Sequence, residues 1–311
     1  MPTTAFVLTL LAAALHAAWN LVVKSSDDRL VSALAITWGA AVVNLPVLVV
    51  AGPPSADVLP YLVPSALVHT AYLLSLAKAY ERADFALSYP LARGTAPLLV
   101  SVGGVVLADD TLPLLGIVGV SLVAGGILSL IHMPRPGQHI DAALVTGLCI
   151  ATYTVIDGMA VRTTGDSLRY LAALFLLQAV ILTGVVLTAR QGHLTVGADQ
   201  WSTFIIGGGA SALAYLLVLI ASQEAPLGLV SGVRELSVVF GLVAGAHLLG
   251  EHVSTRHAVS VATAVGGAIL DARENAAAGL EEIAEDAVGG NGAGPLVSAV
   301  FTHVQEYAPG K

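Results

Sequence analysis

The stretch SYPLARGTAPLLVSVGGVV, Ser88–Val106, places a single arginine, Arg93, in an otherwise uncharged apolar run. It has the length of a membrane-spanning helix, which needs about 20 mostly apolar residues. Its Ala, Leu and Gly content and its lack of period-two alternation argue against a strand. A second run of this kind, LVSGVRELSVVFGLVAG at Leu229–Gly245, carries Arg234 with Glu235 beside it. An arginine at mid-bilayer costs about 2.5–3.5 kcal/mol on insertion scales. Arg93 and Arg234 therefore need a wet cavity, a partner, or an interface to which they can snorkel.

The whole chain has this character. Of its 311 residues 56% are hydrophobic and only 11% are charged, and the mean hydropathy is +0.83. A soluble domain carries about 25% charged residues. A core of this size could not hide so much apolar surface, so the outer surface itself is oily and the chain is a polytopic membrane protein. The net charge is −8. Half of it lies beyond Asp271, where Arg273 and Lys311 face Glu274, Glu281, Glu282, Glu285, Asp286 and Glu306. No basic stripe remains to suit nucleic acid. Cys149 is the only cysteine, which excludes an intramolecular disulfide and a cysteine-based metal site.

Ten spans are expected: Thr4–Val23, Leu30–Ala51, Val58–Ala79, Phe85–Leu107, Leu112–Ile131, Ala142–Val161, Tyr170–Ala189, Trp201–Ala221, Leu227–Leu249 and a short His257–Leu270. The polar break HMPRPGQHID, His132–Asp141, falls between the fifth and sixth and divides the chain into two halves that resemble each other. VAGGIL at Val123–Leu128 matches AVGGAIL at Ala264–Leu270, and the same offset puts Arg93 on Arg234 and Asp110 on Glu251. AYLL recurs at Ala71–Leu74 and Ala214–Leu217. The expected organisation is a five-helix repeat over 1–131, a linker over 132–141, a second repeat over 142–271 and an acidic, flexible tail over 272–311. An odd number of helices per repeat inverts the second half, and inverted repeats place a binding site near the midplane between them.

Several polar side chains within the spans could build such a site. Arg93 and Arg234 suit an anion or a counter-ion; the bland alternative is snorkelling. Asp157, in YTVIDGMAVR, is the lone acid of its helix before Arg162. A carboxyl group withdrawn from water can exchange a proton near neutrality or bind a cation, unless it is only a helix-end cap. His16 and Asn20 share a helix face at i, i+4, with Trp19 beside them; they can relay protons or contact a substrate, or simply hold helices together. Tyr72, Tyr89, Tyr153 and Tyr215 offer aromatic walls with hydroxyl groups, or ordinary packing. His69, Gln178 and His247 read as structural polar contacts. Pro90 and Pro97 would loosen the fourth helix and free carbonyls toward a cavity.

The first helix ending HAAWNLVVK, the sixth carrying YTVIDGMAVR, and the PLAR…P and GVRE runs each followed by an acidic residue (Asp110, Glu251) together resemble EamA-type members of the drug/metabolite transporter superfamily. The resemblance covers about 270 residues and leaves the tail outside. It implies an all-α, ten-helix secondary transporter, often an exporter, in a bacterial inner membrane with both termini in the cytoplasm. That orientation would place Lys24, Arg29, Lys78, Arg82, Arg135, Arg190 and Arg256 outside, against Arg162, Arg169, Arg273 and Lys311 inside. This runs against the positive-inside rule.

The sequence holds no GxxxxGK[ST], HExxH, GxSxG or paired-acid motif. No cofactor or metal is expected. The reading is a multi-pass permease that moves a small polar or amphipathic metabolite by alternating access, with protons a candidate coupling ion. It would work as a monomer or homodimer in the lipid bilayer. The substrate-binding or coupling residues would be His16, Trp19, Asn20, Tyr72, Tyr89, Arg93, Tyr153, Asp157, Tyr215, Arg234 and Glu235. The alternatives are an integral-membrane enzyme, such as a lipid-modifying transferase using His16 and Asp157 as acid and base, and a membrane scaffold acting through its acidic tail.

Overall fold

The computed structural model describes residues 1–24, 28–82, 85–129, 140–191 and 200–240, together with Val259, Thr263, Gly266, Gly267 and Leu270. Among these residues every regular element is helical and no strand occurs. The helices are α1 (Thr3–Lys24), α2 (Arg29–Ala51), α3 (Leu59–Arg82, after a 3₁₀ turn at Ala56–Val58), α4 (Phe85–Leu107), α5 (Leu114–Leu128), α6 (Asp141–Thr164) and α7 (Ser167–Ala189). A short α8 (Gln200–Ser202) runs through a π turn, Thr203–Gly207, into α9 (Gly208–Glu224), and α10 (Leu227–Arg234) follows.

Five of these helical stretches are long and apolar enough to cross a membrane: Leu30–Ala51, Ala56–Ala79, Asp141–Thr164, Ser167–Ala189 and Thr203–Glu224. The apolar parts of α1, α4 and α5 whose side chains are described are shorter. Large apolar side chains cover the outside: Val50 is 86% exposed, Val49 76% and Leu114 75%. Contiguous apolar surface on this scale marks a face turned to something other than water. The expected span His257–Leu270 and the tail 272–311 lie outside the described residues, apart from five helical positions within the former.

Local chemistry fixes the helix ends. Asp28 caps α2, accepting from the Val31 N–H at 3.1 Å, and also receives Arg190 Nη2 at 2.7 Å from the end of α7. Asp166 caps α7 through the Arg169 N–H at 2.9 Å, just after Gly165 has turned the chain at φ +68°. Burial pushes both carboxyl groups up, but the backbone N–H donors and arginines outweigh it and hold each below the ordinary carboxylate range. Their contribution to stability is present above the unfolded carboxylate pKa and is lost as pH falls through the depressed value.

Within the bundle α1 packs on α9, α3 on α6, α4 on α6 and α2 on α7, while α10 lies against α4 and α1. One end of the bundle is tied by Arg162, near the end of α6. Its Nε donates to Ser222 O at 2.7 Å, Nη2 to Ala225 O at 2.7 Å, and Nη1 to Ala108 O at 3.2 Å and Asp110 Oδ1 at 2.8 Å. The other oxygen of Asp110 accepts the Leu227 N–H at 2.7 Å and so caps α10. One guanidinium thereby joins the ends of α4, α6 and α9 and the start of α10. Its planar fork of donors suits this role, and a lysine could not reproduce it.

The closest backbone approach lies between α2 and the π turn. A Cβ built on Gly39 would stand 2.0 Å from Phe204 O, and one on Gly208 would stand 2.6 Å from the Gly39 backbone. Both positions must be glycine for the two chains to touch, and the extra residue of the π turn is accommodated at this contact. Gly39→Ala should therefore destabilise the protein by about 1–3 kcal/mol through overpacking. The measurement is thermal unfolding in detergent; an unchanged midpoint would mean that this contact is not tight.

Candidate functional site

Arg93 on α4 and Arg234 at the last position of α10 are both buried, 3% and 4% exposed, so neither snorkels to an interface. They converge on Glu235, which is 0% exposed. Arg93 Nε stands 2.7 Å from Glu235 Oε2, and its Nη2 donates to Ser237 Oγ at 3.0 Å. Arg234 Nε is 3.9 Å from the other carboxylate oxygen. Adjacent side chains on a regular helix diverge by about 100°, and the sequence reads Leu227–Leu249 as one continuous span. The structure corrects this: α10 ends at Arg234, residues 235–236 form a turn, and helix resumes over 237–240. In the break Leu236 N bonds Val233 O and Val238 N bonds Glu235 O, each at 3.0 Å, a tighter i→i−3 pattern. This turn lets residues 234 and 235 serve the same place.

A second buried group centres on Asp157 of α6, which is 1% exposed. It accepts hydrogen bonds from the hydroxyls of Tyr170 on α7 and Tyr215 on α9. His69 Nε2 of α3 lies 3.0 Å from its Oδ2. The Tyr153 ring stacks on the His69 imidazole, with centroids 3.8 Å apart and planes 22° from parallel. The imidazole against Asp157 is thus that of His69.

Beside these groups lies a cavity of about 150 Å³. Its wall is built by α1 (His16, Trp19), α3 (His69, Tyr72), α6 (Tyr153), α7 (Phe175, Gln178), α9 (Tyr215) and α10 (Arg234), with small and aliphatic side chains between them. Tyr153 precedes Arg162 by nine positions on α6, about 13 Å along the axis. On α9 the wall reaches Val218, one turn before the Ser222 that accepts from Arg162. Asp157 and Glu235 do not reach the wall; one sits behind His69 and Tyr215, the other behind Arg234.

Of the residues expected from sequence, His16, Trp19, Tyr72, Tyr153, Tyr215 and Arg234 line this cavity. Arg93, Asp157 and Glu235 form the layer behind it. The side chains of Asn20 and Tyr89 lie outside the described residues, as do His247 and Glu251. His69 and Gln178, read from sequence as structural contacts, are on the wall. Tyr170 went unnoticed, because it opens a span and carries no charge. The carbonyl that Pro97 was expected to free does not line the cavity: among the described residues none of α4 does, and α4 is continuous past Pro97, while the side chain of Pro90 lies outside the described residues. Among the described residues no cluster of three or more metal-ligating side chains occurs.

An all-helical bundle with an oily exterior and several helices long and apolar enough to span a bilayer defines a multi-pass membrane protein. The model of the EamA-like transporter family, part of the drug/metabolite transporter superfamily, matches residues 140–271 of this chain. No curated protein matches the chain. A solved protein crystal structure aligns with 86% of this chain and 95% of its own at a TM-score of 0.68 and 18% identity. At that identity the likeness concerns the fold alone.

Glu235→Gln would leave Arg93 buried without its counter-charge. Breaking a buried pair in this way should cost about 3–5 kcal/mol. The double variant Arg93→Gln, Glu235→Gln should be destabilised by less than the sum of the single losses. Thermal unfolding of the four proteins in detergent gives the coupling; strict additivity would show that the pair is not a unit.

Proposed function

We propose that the chain is a secondary transporter of ten spans, arranged as two inverted five-helix repeats over 1–131 and 142–271. It moves a small polar or amphipathic metabolite outward across a bacterial inner membrane by alternating access. The observation that carries this reading is the cavity walled by helices of both halves, with the Arg162 network tying the bundle at one end.

The helix pairing supports the repeat. Let α8, the π turn and α9 together count as the eighth span and α10 as the start of the ninth. Exchanging each helix for the one five places on then turns the α3–α6 pair into α9–α1 and α4–α6 into α10–α1. It also turns α2–α9 into α7–α3 and leaves α2–α7 and α4–α10 unchanged. The family match over 140–271 coincides with the second repeat. Alternating access requires the sealed end to open in turn, so the four acceptors of Arg162 must separate during the cycle. The substrate would contact His16, Trp19, Tyr72, Tyr153, Tyr215 and Arg234, joined by Asn20 on α1 and Tyr89 on α4. Asp157 with His69 is suited to carry a coupling proton, since a carboxylate held by three donors still has an imidazole to exchange with.

A strain overexpressing the protein, screened against toxic metabolites and analogues, supplies the substrate for proteoliposome assays. Wild-type vesicles should move it, and Asp157→Asn should lower the rate tenfold or more while inserting normally. Product formation in detergent without a gradient would hand the chain to the enzyme reading.

In a Cys149→Ser background, Arg162→Ala should raise maleimide labelling of a cysteine placed at the buried Ser222 position severalfold. Unchanged labelling would mean that Arg162 holds no gate.

A further inference from the structure

The transporter reading leaves open what the cavity holds, and the unmatched polar groups on its wall bear on that. Arg234 is 4% exposed, and its Nε and Nη2 have no hydrogen-bond partner among the described residues. Its one ion contact, Glu235 at 3.9 Å, is shared with Arg93 at 2.7 Å. Among the described residues Arg234 has no closer carboxylate than this one. Trp19 Nε1 is likewise buried without a partner. Both side chains can only donate hydrogen bonds. Burying such donors unsatisfied is costly, and one acceptor-rich guest between them would satisfy both.

The opposite polarity is missing. No carboxylate lines the cavity among the described residues. Asp157 is occupied by two tyrosine hydroxyls and His69, and Glu235 by the arginines. An ammonium group would therefore find no counter-charge on the wall. Gln178 Oε1 is also buried and unpartnered, but an amide can turn either its oxygen or its NH₂ to a guest. The rest of the wall carries Tyr72, Tyr153, Phe175 and Tyr215, with His16, His69 and small or aliphatic side chains between them. A cavity of about 150 Å³ matches the volume that holds one benzene ring in another protein.

We propose that the cavity binds a compact organic anion, a carboxylate or phosphonate on an apolar ring-sized body. Its acid group sits between Arg234 and Trp19 and its body lies against the tyrosines. This deepens the transporter reading and rests on it.

The test uses the full chain in detergent with benzoate, phenylphosphonate, benzyl alcohol and benzylamine as probes, read by isothermal titration calorimetry and thermal shift. Benzoate or phenylphosphonate should bind about tenfold or more tighter than the neutral and cationic probes. Arg234→Gln should lose about tenfold or more in anion affinity, and Arg234→Lys should recover part of it, as expected for removing a charged hydrogen bond. Trp19→Phe keeps the ring and removes only the N–H donor, so it covers the case in which the arginine variants fail to fold. It should weaken benzoate severalfold and leave benzyl alcohol unchanged. Equal or tighter binding of benzylamine, or anion affinity untouched in both Arg234→Gln and Trp19→Phe, overturns the assignment. If benzylamine binds and also crosses proteoliposome membranes, the polarity is wrong and the transporter stands. If no probe binds and none is transported, the anion assignment falls together with the use of this cavity as the transport site.

Discussion

Glu235 is the one acid that two buried arginines from distant parts of the chain must share. An arginine at this depth without compensation is a cost of several kcal/mol, and the packing around it follows from meeting that cost. Arg93 takes the nearer carboxylate oxygen and anchors to Ser237 on the far side of the helix break. This fixes α4 against the interrupted ninth span. Arg234 is left at the longer distance, 3.9 Å, with donor capacity to spare on the cavity side. The asymmetry gives the two arginines different surroundings: Arg93 is held within the scaffold and Arg234 reaches the cavity.

The cavity is polarised by what has been withdrawn from it as much as by what lines it. Both deeply buried acids are turned away from the wall and engaged from behind. Asp157 orients the hydroxyl of Tyr215 and the imidazole of His69, so its influence reaches the cavity only through them. Supporting groups of this kind fix the orientation of the side chains that meet a ligand.

Much of the helical layout was legible in the sequence, because twenty-residue apolar runs bounded by Gly, Pro and charged clusters leave few alternatives. Phe85–Leu107 was placed to the residue. The two arginines and Asp157 stood out because charge in such runs is costly wherever it occurs. What the sequence hid was pairing across space. Nothing in LVHTAYLL marks His69 as the partner of an acid 88 positions later. Tyr170 looks like any aromatic residue at a span boundary. The break at Glu235 carries neither Gly nor Pro, so its helix reads as continuous; the turn is stabilised by the tertiary pull of Arg93, which no local pattern encodes. Arg162 was counted only as a loop charge, although its role lies in three backbone carbonyls.

Asp110 holds the Arg162 guanidinium with one oxygen and the first N–H of α10 with the other. From that N–H to Arg234 is only eight residues of helix, about 12 Å of stiff rod. The seal at one end of the bundle and the cationic group facing the cavity are thus the two ends of a single short lever. A displacement that parts Asp110 from Arg162 also moves or tilts the rod. In the proposed cycle, occupancy at one end and closure at the other would therefore be mechanically linked, without any relay of intervening side chains.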